Sequence, residues 1–141
     1  MRDFTLHTTV AASYGTTLDR VRDHLAEAGF GVLTEIDLQA TLRTKLGVEV
    51  APQVILGACR PQLAHAALEA DPRVATMLPC NVVVAAEGDL LTRVEVFDPA
   101  VMATFSDTHG LDAVADEARA RLTTMITNLT SELEATGAAR A

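Results

Sequence analysis

The chain of 141 residues contains no tryptophan, one tyrosine and four phenylalanines, so it has few aromatic rings on which nucleic-acid bases stack. It carries 11 lysines and arginines against 19 acidic residues, for a formal net charge of −8. Nucleic acids and anionic membranes carry charge of the same sign, which argues against both as partners. No apolar run approaches the ~20 residues of a membrane span, and the start of the chain lacks the apolar block of a signal peptide. We therefore expect a cytoplasmic protein.

Motifs of several common enzyme classes are also missing. There is no G-x-S-x-G, no P-loop and no G-x-G-x-x-G, since Gly29-Phe30-Gly31 lacks the third glycine and precedes a predicted strand. The four histidines are scattered and the two cysteines form no C-x-x-C, so the chain has no zinc signature. The sequence indicates neither a reaction nor a cofactor.

What the chain does have is an apolar share of 49%, which is typical of a globular protein. Its length fits one domain, which we place at residues 1–135, with a frayed tail at 136–141. Alternating hydrophobic patterns predict strands over residues 5–11, 30–36, 53–58, 81–86 and 90–97. Helical spacing predicts helices over residues 16–29, 37–46, 62–70, 98–105 and 111–135. A hairpin turn between the last two strands makes part of the sheet antiparallel, which favours an α+β fold.

Local signals add finer expectations. Thr16 and Asp19 fit a capping box at the start of the first helix, and Gly29 suits the left-handed position after its end. The strand over residues 30–36 alternates and predicts one wet and one dry face. Polar residues on the first and last strands predict a polar sheet face formed by Thr5, His7, Thr9, Thr92 and Glu95.

Two cysteines lie at the ends of predicted strands, and their relation depends on the sheet topology. Cys59 ends one strand just before a helix N-terminus, where free N–H groups stabilise a thiolate, so it is the candidate nucleophile. Cys80 begins the next strand. If the two strands are antiparallel neighbours, the thiols converge; if they are parallel neighbours, the thiols lie a strand length apart.

Other polar residues flank these strand ends. A convergent cluster of thiols, carboxylates and an amine admits a soft-metal site for Cu(I) or zinc, a dithiol–disulfide pair, or a site for an anionic or polar small molecule. The candidate ligand-binding residues are Glu35, Asp37, Lys45, Cys59, Cys80 and Asn81, and the candidate metal ligands are Cys59 and Cys80. Each also has a structural interpretation: packing for the cysteines, a helix N-cap for Asp37, a helix C-terminus for Lys45, a solvated strand position for Glu35 and a turn for Asn81.

Five segments in order resemble the DUF302 family (TT1751-like): GFGVLTEID at 29–37, KLG at 45–47, ILGACRP at 55–61, LPCNVVV at 78–84 and DP at 98–99. The resemblance covers about residues 5–130. It implies a TBP-like α+β fold, in which an antiparallel sheet of about five strands packs against a long C-terminal helix and shorter helices, and it implies homodimers. It brings no reaction. The family pattern often has Asn after the first cysteine, where this chain has Arg60.

Three functions follow from these observations. The first is a binding module for a small ligand or a soft metal ion, using the Cys/Asp/Lys cluster at the strand ends. The second is a thiol-based redox or sulfur-transfer protein with Cys59 as nucleophile. The third is a structural or interaction domain that acts through its dimer surface, with both cysteines as core filler.

Overall fold

A computed structural model of the chain describes the backbone of residues 3–140 and the side chains of residues 3–134. The strands are β1 (Thr5–Val10), β2 (Gly31–Asp37), β3 (Gln53–Cys59), β4 (Cys80–Gly88) and β5 (Leu91–Phe97). The helices are α1 (Tyr14–Glu27), α2 (Leu38–Leu46), α3 (Pro61–Ala70), α4 (Pro99–Met102) and α5 (Leu111–Arg140). Two 3₁₀ segments complete the described part, at Pro72–Met77 and Ala103–Phe105. The first of these was not predicted.

The five strands form one sheet in the order β1-β5-β4-β3-β2, with every neighbouring pair antiparallel. The predicted α+β architecture is therefore confirmed, including the long C-terminal helix. That helix continues past the expected end at residue 135 to Arg140. The predicted fraying of residues 136–141 stays a prediction, because their side chains and residue 141 lie outside the described residues.

The core lies between one face of the sheet and the helices α1 and α5. Leu122, Met125 and Leu129 of α5 are almost fully buried, as the spacing of its apolar residues predicts. They pack with alternate sheet residues, namely Val10, Val54, Leu56, Ala58, Val82, Val84, Val94 and Val96. Each buried leucine or valine contributes about 1.5–3 kcal/mol relative to an exposed one, so this layer holds the helix on the sheet.

The expectation of a dry face on β2 is wrong. Leu33 and Ile36 are 66% and 46% exposed, and every residue from Leu33 to Asp37 is open to solvent. The physical reason is position: β2 is an edge strand, and a bulge between Val32 and Thr34 shifts its side-chain alternation.

Two smaller expectations also need correction. Helix α1 begins at Tyr14, and its cap is Ser13, whose Oγ accepts the Thr16 N–H at 3.2 Å. The N-cap therefore lies three residues before Thr16, and the predicted capping box of Thr16 and Asp19 is wrong. Thr92 is not on the polar sheet face; it is fully buried on the helix side and donates its hydroxyl hydrogen to the Ala12 carbonyl at 2.8 Å.

Candidate ligand-binding pocket

A cavity lies where β3 ends and β4 begins, between this end of the sheet and helices α3, α4 and α5. Its volume is about 40 Å³, and it opens to solvent at its mouth. Five of its lining residues are alanines, at 58, 64, 67, 115 and 118. The cavity exists because these short side chains leave space where two helices meet the sheet. We call it the alanine pocket.

Both cysteines line the alanine pocket. Cys59 is the last residue of β3 and Cys80 is the first of β4, and the register pairs Ala58 with Cys80. Antiparallel partners lie about 4.5–5.5 Å apart and successive residues about 3.4 Å, which puts the Cα atoms of Cys59 and Cys80 about 6 Å apart. The antiparallel pairing of β3 and β4 is thus confirmed, and both cysteines are free and partly buried.

The environment of Cys80 keeps its thiol protonated. Burial, and to a lesser extent repulsion from the Cys59 thiolate, raise the pKa of Cys80 to about 11. A thiol with this pKa carries almost no thiolate at neutral pH, so Cys80 presents a neutral, polarizable sulfur to the cavity.

Cys59 precedes helix α3, but that helix start offers few free N–H groups. Pro61 occupies the first helical position and has no N–H, while the N–H groups of Leu63 and Ala64 both donate to the Arg60 carbonyl at 3.0 Å. The helix start that was expected to stabilise a Cys59 thiolate therefore offers fewer free N–H groups than an ordinary helix N-terminus.

The structure does not bring the predicted acidic residues to the cysteines. Asp37 pairs with Val54 near the opposite end of β3, and its Oδ1 accepts the Ala40 N–H at 2.9 Å as the N-cap of α2. Glu35 forms an ion pair with Arg22 of α1 at 2.7 Å. Neither lines the alanine pocket, so the structural interpretation of Asp37 is confirmed.

Lys45 and Asn81 also lie apart from the thiols. Lys45 is exposed in the last turn of α2, where a cation complements the helix dipole. Asn81 follows Cys80 directly, but it lines a separate groove with Gln53, Val83 and Arg93. The expected cluster of cysteines, acids and an amine is therefore corrected: only Cys59 and Cys80 come together, because strand alternation and the length of β3 separate the rest.

The pocket contains residues that were not singled out as site candidates in the sequence. The alanines at 64 and 67 are three residues apart on α3, as are those at 115 and 118 on α5, so each pair shares a helix face. Arg60 is the charged residue of the lining. The alanine spacing was a readable signal, but small residues at helical spacing are so common that it indicates packing as readily as a cavity.

Over the described part of the chain, no three side chains of His, Cys, Asp or Glu gather as a metal site would require. None of the helices over residues 3–140 has both the length and the apolar character that crossing a bilayer demands.

Comparison with known proteins identifies relatives of this architecture. The model of the family described as "Domain of unknown function DUF302" matches residues 6–129. A crystal structure of an uncharacterised conserved DUF302 protein from Bacillus stearothermophilus superposes with a TM-score of 0.82 at 27% sequence identity. The superposition covers 92% of this chain and 99% of that one. No curated protein matches the sequence.

Proposed function

Since the chain belongs to the DUF302 family, whose description assigns no activity, we propose from its own geometry that it binds a small ligand in the alanine pocket. The observation that carries the proposal is one apolar cavity, open to solvent at one end, into which two distant segments deliver Cys59 and Cys80. Ligand sites are typically concave and apolar, with a few polar groups that orient the ligand.

The size of the cavity limits the ligand. A cavity needs roughly 10–15 Å³ of such volume to hold one water, so about 40 Å³ accommodates roughly three water-sized groups. A branched three-carbon group fits this space, and the remainder of the ligand lies in the mouth. The apolar wall and the protonated Cys80 thiol favour an apolar, polarizable group over a cation at the inner end.

The test is an NMR titration with isobutyramide, whose isopropyl group matches the cavity, read at the methyl group of Met102 in the pocket wall. Ala64→Leu fills the pocket, and Ala66→Leu adds the same side chain to an exposed position of α3 outside the lining. We expect saturable shifts in the wild type and in Ala66→Leu that vanish in Ala64→Leu. Equal shifts in all three proteins, or none in the wild type, would remove the pocket from the function.

A soft metal ion is the second candidate, because two cysteines line one cavity with their Cα atoms about 6 Å apart. Cu(I) accepts thiolate ligands, but both thiols must lose their protons to bind it, so the affinity rises with pH. Cu(I) titration of the reduced protein, compared with the Cys59→Ser/Cys80→Ser double variant, separates this candidate from the first. Equal Cu(I) affinity in both proteins excludes the thiols as metal ligands.

The homodimer implied by the family resemblance stays a prediction. The edge strand β2 with its exposed Leu33 and Ile36 is the surface that we expect a second copy to cover, because an edge strand leaves backbone groups unpaired. Sedimentation velocity measures the mass in solution, and Ile36→Lys should shift it towards the monomer. A sedimentation coefficient of a monomer in the wild type contradicts the prediction.

A further inference from the structure

Arg60 lines the alanine pocket, and its guanidinium has few hydrogen-bond partners at good geometry. Its side chain is only 20% exposed, and its buried Nε has no hydrogen-bond partner. Nη1 reaches the Gly29 carbonyl at 3.5 Å, which is long for a hydrogen bond, and Nε lies 3.7 Å from Oε2 of Glu117. A guanidinium has five N–H donors, so this group retains capacity for an acceptor that the protein does not supply at good geometry.

A second arginine, Arg121, lies close to Arg60 beside Gly29, although it is not part of the lining of the alanine pocket. Arg121 of α5 donates from Nε to Oε2 of Glu117 at 3.1 Å and from Nη1 to the Ala28 carbonyl at 3.1 Å. Both guanidinium groups crowd against Gly29: a Cβ there would clash with Arg60 Nη1 and lie 3.4 Å from Arg121 Nη1. The absence of a side chain at Gly29 therefore makes room for the two arginines.

Two carboxylates lie near this arginine pair. Arg60 and Arg121 share the single carboxylate of Glu117. The next carboxylate, Glu27, borders Arg121 but is directed to Nδ1 of His24 at 3.3 Å.

We infer that the ligand of the alanine pocket is a short-chain monocarboxylate, whose apolar end lies among the alanines and whose carboxylate binds Arg60 and Arg121. The inference rests on the proposed function and adds the ligand class. A carboxylate fits because the planar guanidinium forks match its two oxygens, and because Nε of Arg60 has no hydrogen-bond partner. The apolar end points inward, since Arg60 belongs to the pocket lining while its guanidinium faces Gly29 and Glu117.

The test compares isobutyrate with isobutyramide, which has the same shape but no charge, by NMR titration at low ionic strength. The wild type should bind isobutyrate about tenfold or more tightly, as expected for charge-assisted hydrogen bonds to one anion. In Arg60→Gln and in Arg121→Gln this preference should fall to about one- to threefold. Arg121 is not part of the pocket lining, so retained amide binding in Arg121→Gln shows that the pocket is intact. Arg43→Gln, on exposed α2, removes the same charge and should keep the full preference.

The outcomes separate the two proposals. Equal affinity for acid and amide in the wild type, or a preference that survives in both arginine variants, overturns the carboxylate assignment while the pocket remains a binding site. If neither molecule binds the wild type, both proposals are wrong. A preference that disappears in Arg43→Gln as well reflects the overall charge of the protein and also overturns the assignment.

Discussion

Ala58 and Cys80 face each other across β3 and β4 in antiparallel register. This pairing brings the end of one strand to the start of the next, although the two cysteines are separated by a helix and a 3₁₀ segment in the chain. It places Cys59 and Cys80 in the wall of one cavity, and the alanines of α3 and α5 keep that cavity open. The candidate site is therefore a consequence of sheet topology combined with small helix residues.

The Cys80 thiol should react slowly with alkylating reagents. Because burial and the Cys59 thiolate raise its pKa to about 11, its thiolate fraction at pH 8 is small, and its alkylation rate should still be rising at pH 10. Iodoacetamide labelling of Cys59→Ser across pH 7 to 11, followed by mass spectrometry, measures this rate for Cys80 alone. The variant lacks the repulsion of the second thiolate, but burial, the larger cause, persists. A plateau reached below pH 9 contradicts the buried position of Cys80.

Cys80 should also make folding sensitive to alkaline pH. Its pKa rises from an ordinary value of 9.0 to about 11 on folding, so the folded state holds the proton more tightly than the unfolded state. The stabilisation is complete below pH 9 and is lost as the pH rises towards 11, at a cost of about 2–3 kcal/mol in the free energy of unfolding. Urea denaturation between pH 8 and 11 should show a steeper loss in the wild type than in Cys80→Ala.

That comparison also controls for Tyr14, whose phenol loses its proton at alkaline pH. Burial and the charges of Asp37 and Glu35 raise the pKa of Tyr14, which therefore contributes a similar loss in both proteins. Parallel stability curves for the wild type and Cys80→Ala would show that the Cys80 thiol has no special environment.

Ser13 should stabilise α1 more than Thr16 does. The Ser13 side chain accepts the Thr16 N–H, so Ser13→Ala removes the cap and should cost about 1 kcal/mol. Thr16→Ala changes an exposed side chain and keeps the N–H, so its effect should stay within about 0.5 kcal/mol. Chemical denaturation of the two variants measures the difference, and a larger cost for Thr16→Ala would restore the capping box that the sequence alone predicts.

Gly29 should tolerate alanine less well than Gly47 does. Both have positive φ, at 91° and 68°, and the left-handed backbone costs a residue with a Cβ about 1–2 kcal/mol. At Gly47 nothing lies near the added methyl group, whereas at Gly29 it meets the guanidinium of Arg60. Gly29→Ala should therefore lower the free energy of unfolding more than Gly47→Ala, and adding Arg60→Ala should recover part of the loss. Equal losses without recovery would mean that Arg60 does not lie against Gly29.

Much of the fold could be predicted because its signals are local. The helix over α5 and the hairpin of β4 and β5 follow from hydrophobic spacing and turn residues, and the cap at Asp37 and the end at Gly47 follow from residue type. The errors concern position in the sheet. The alternation of residues 30–36 does not indicate that β2 is an edge strand. The burial of Thr92 depends on its hydrogen bond to the carbonyl of Ala12, which is eighty residues away in the chain.

The site was predicted in part for the same reason. Cys59 and Cys80 lie close together because β3 and β4 are antiparallel neighbours. The sequence was compatible with both an antiparallel and a parallel pairing and did not distinguish them. Asp37 and Lys45 resemble site residues in type, yet strand length and helix orientation carry them elsewhere. Arg60 could not be identified as a binding residue from the sequence, because the missing hydrogen-bond partner of its Nε is apparent only in the folded structure.

Xenon binding tests the existence of a ligand-accessible pocket most directly, because xenon is a small, polarizable atom that enters apolar cavities. Crystals of the wild type, Ala64→Leu and Ala66→Leu, pressurised with xenon, would be compared by anomalous diffraction. We predict a xenon peak between Cys80 and Ala115 in the wild type and in Ala66→Leu, and none there in Ala64→Leu. An empty pocket in the wild type, with xenon bound elsewhere in the same crystal, would contradict the account.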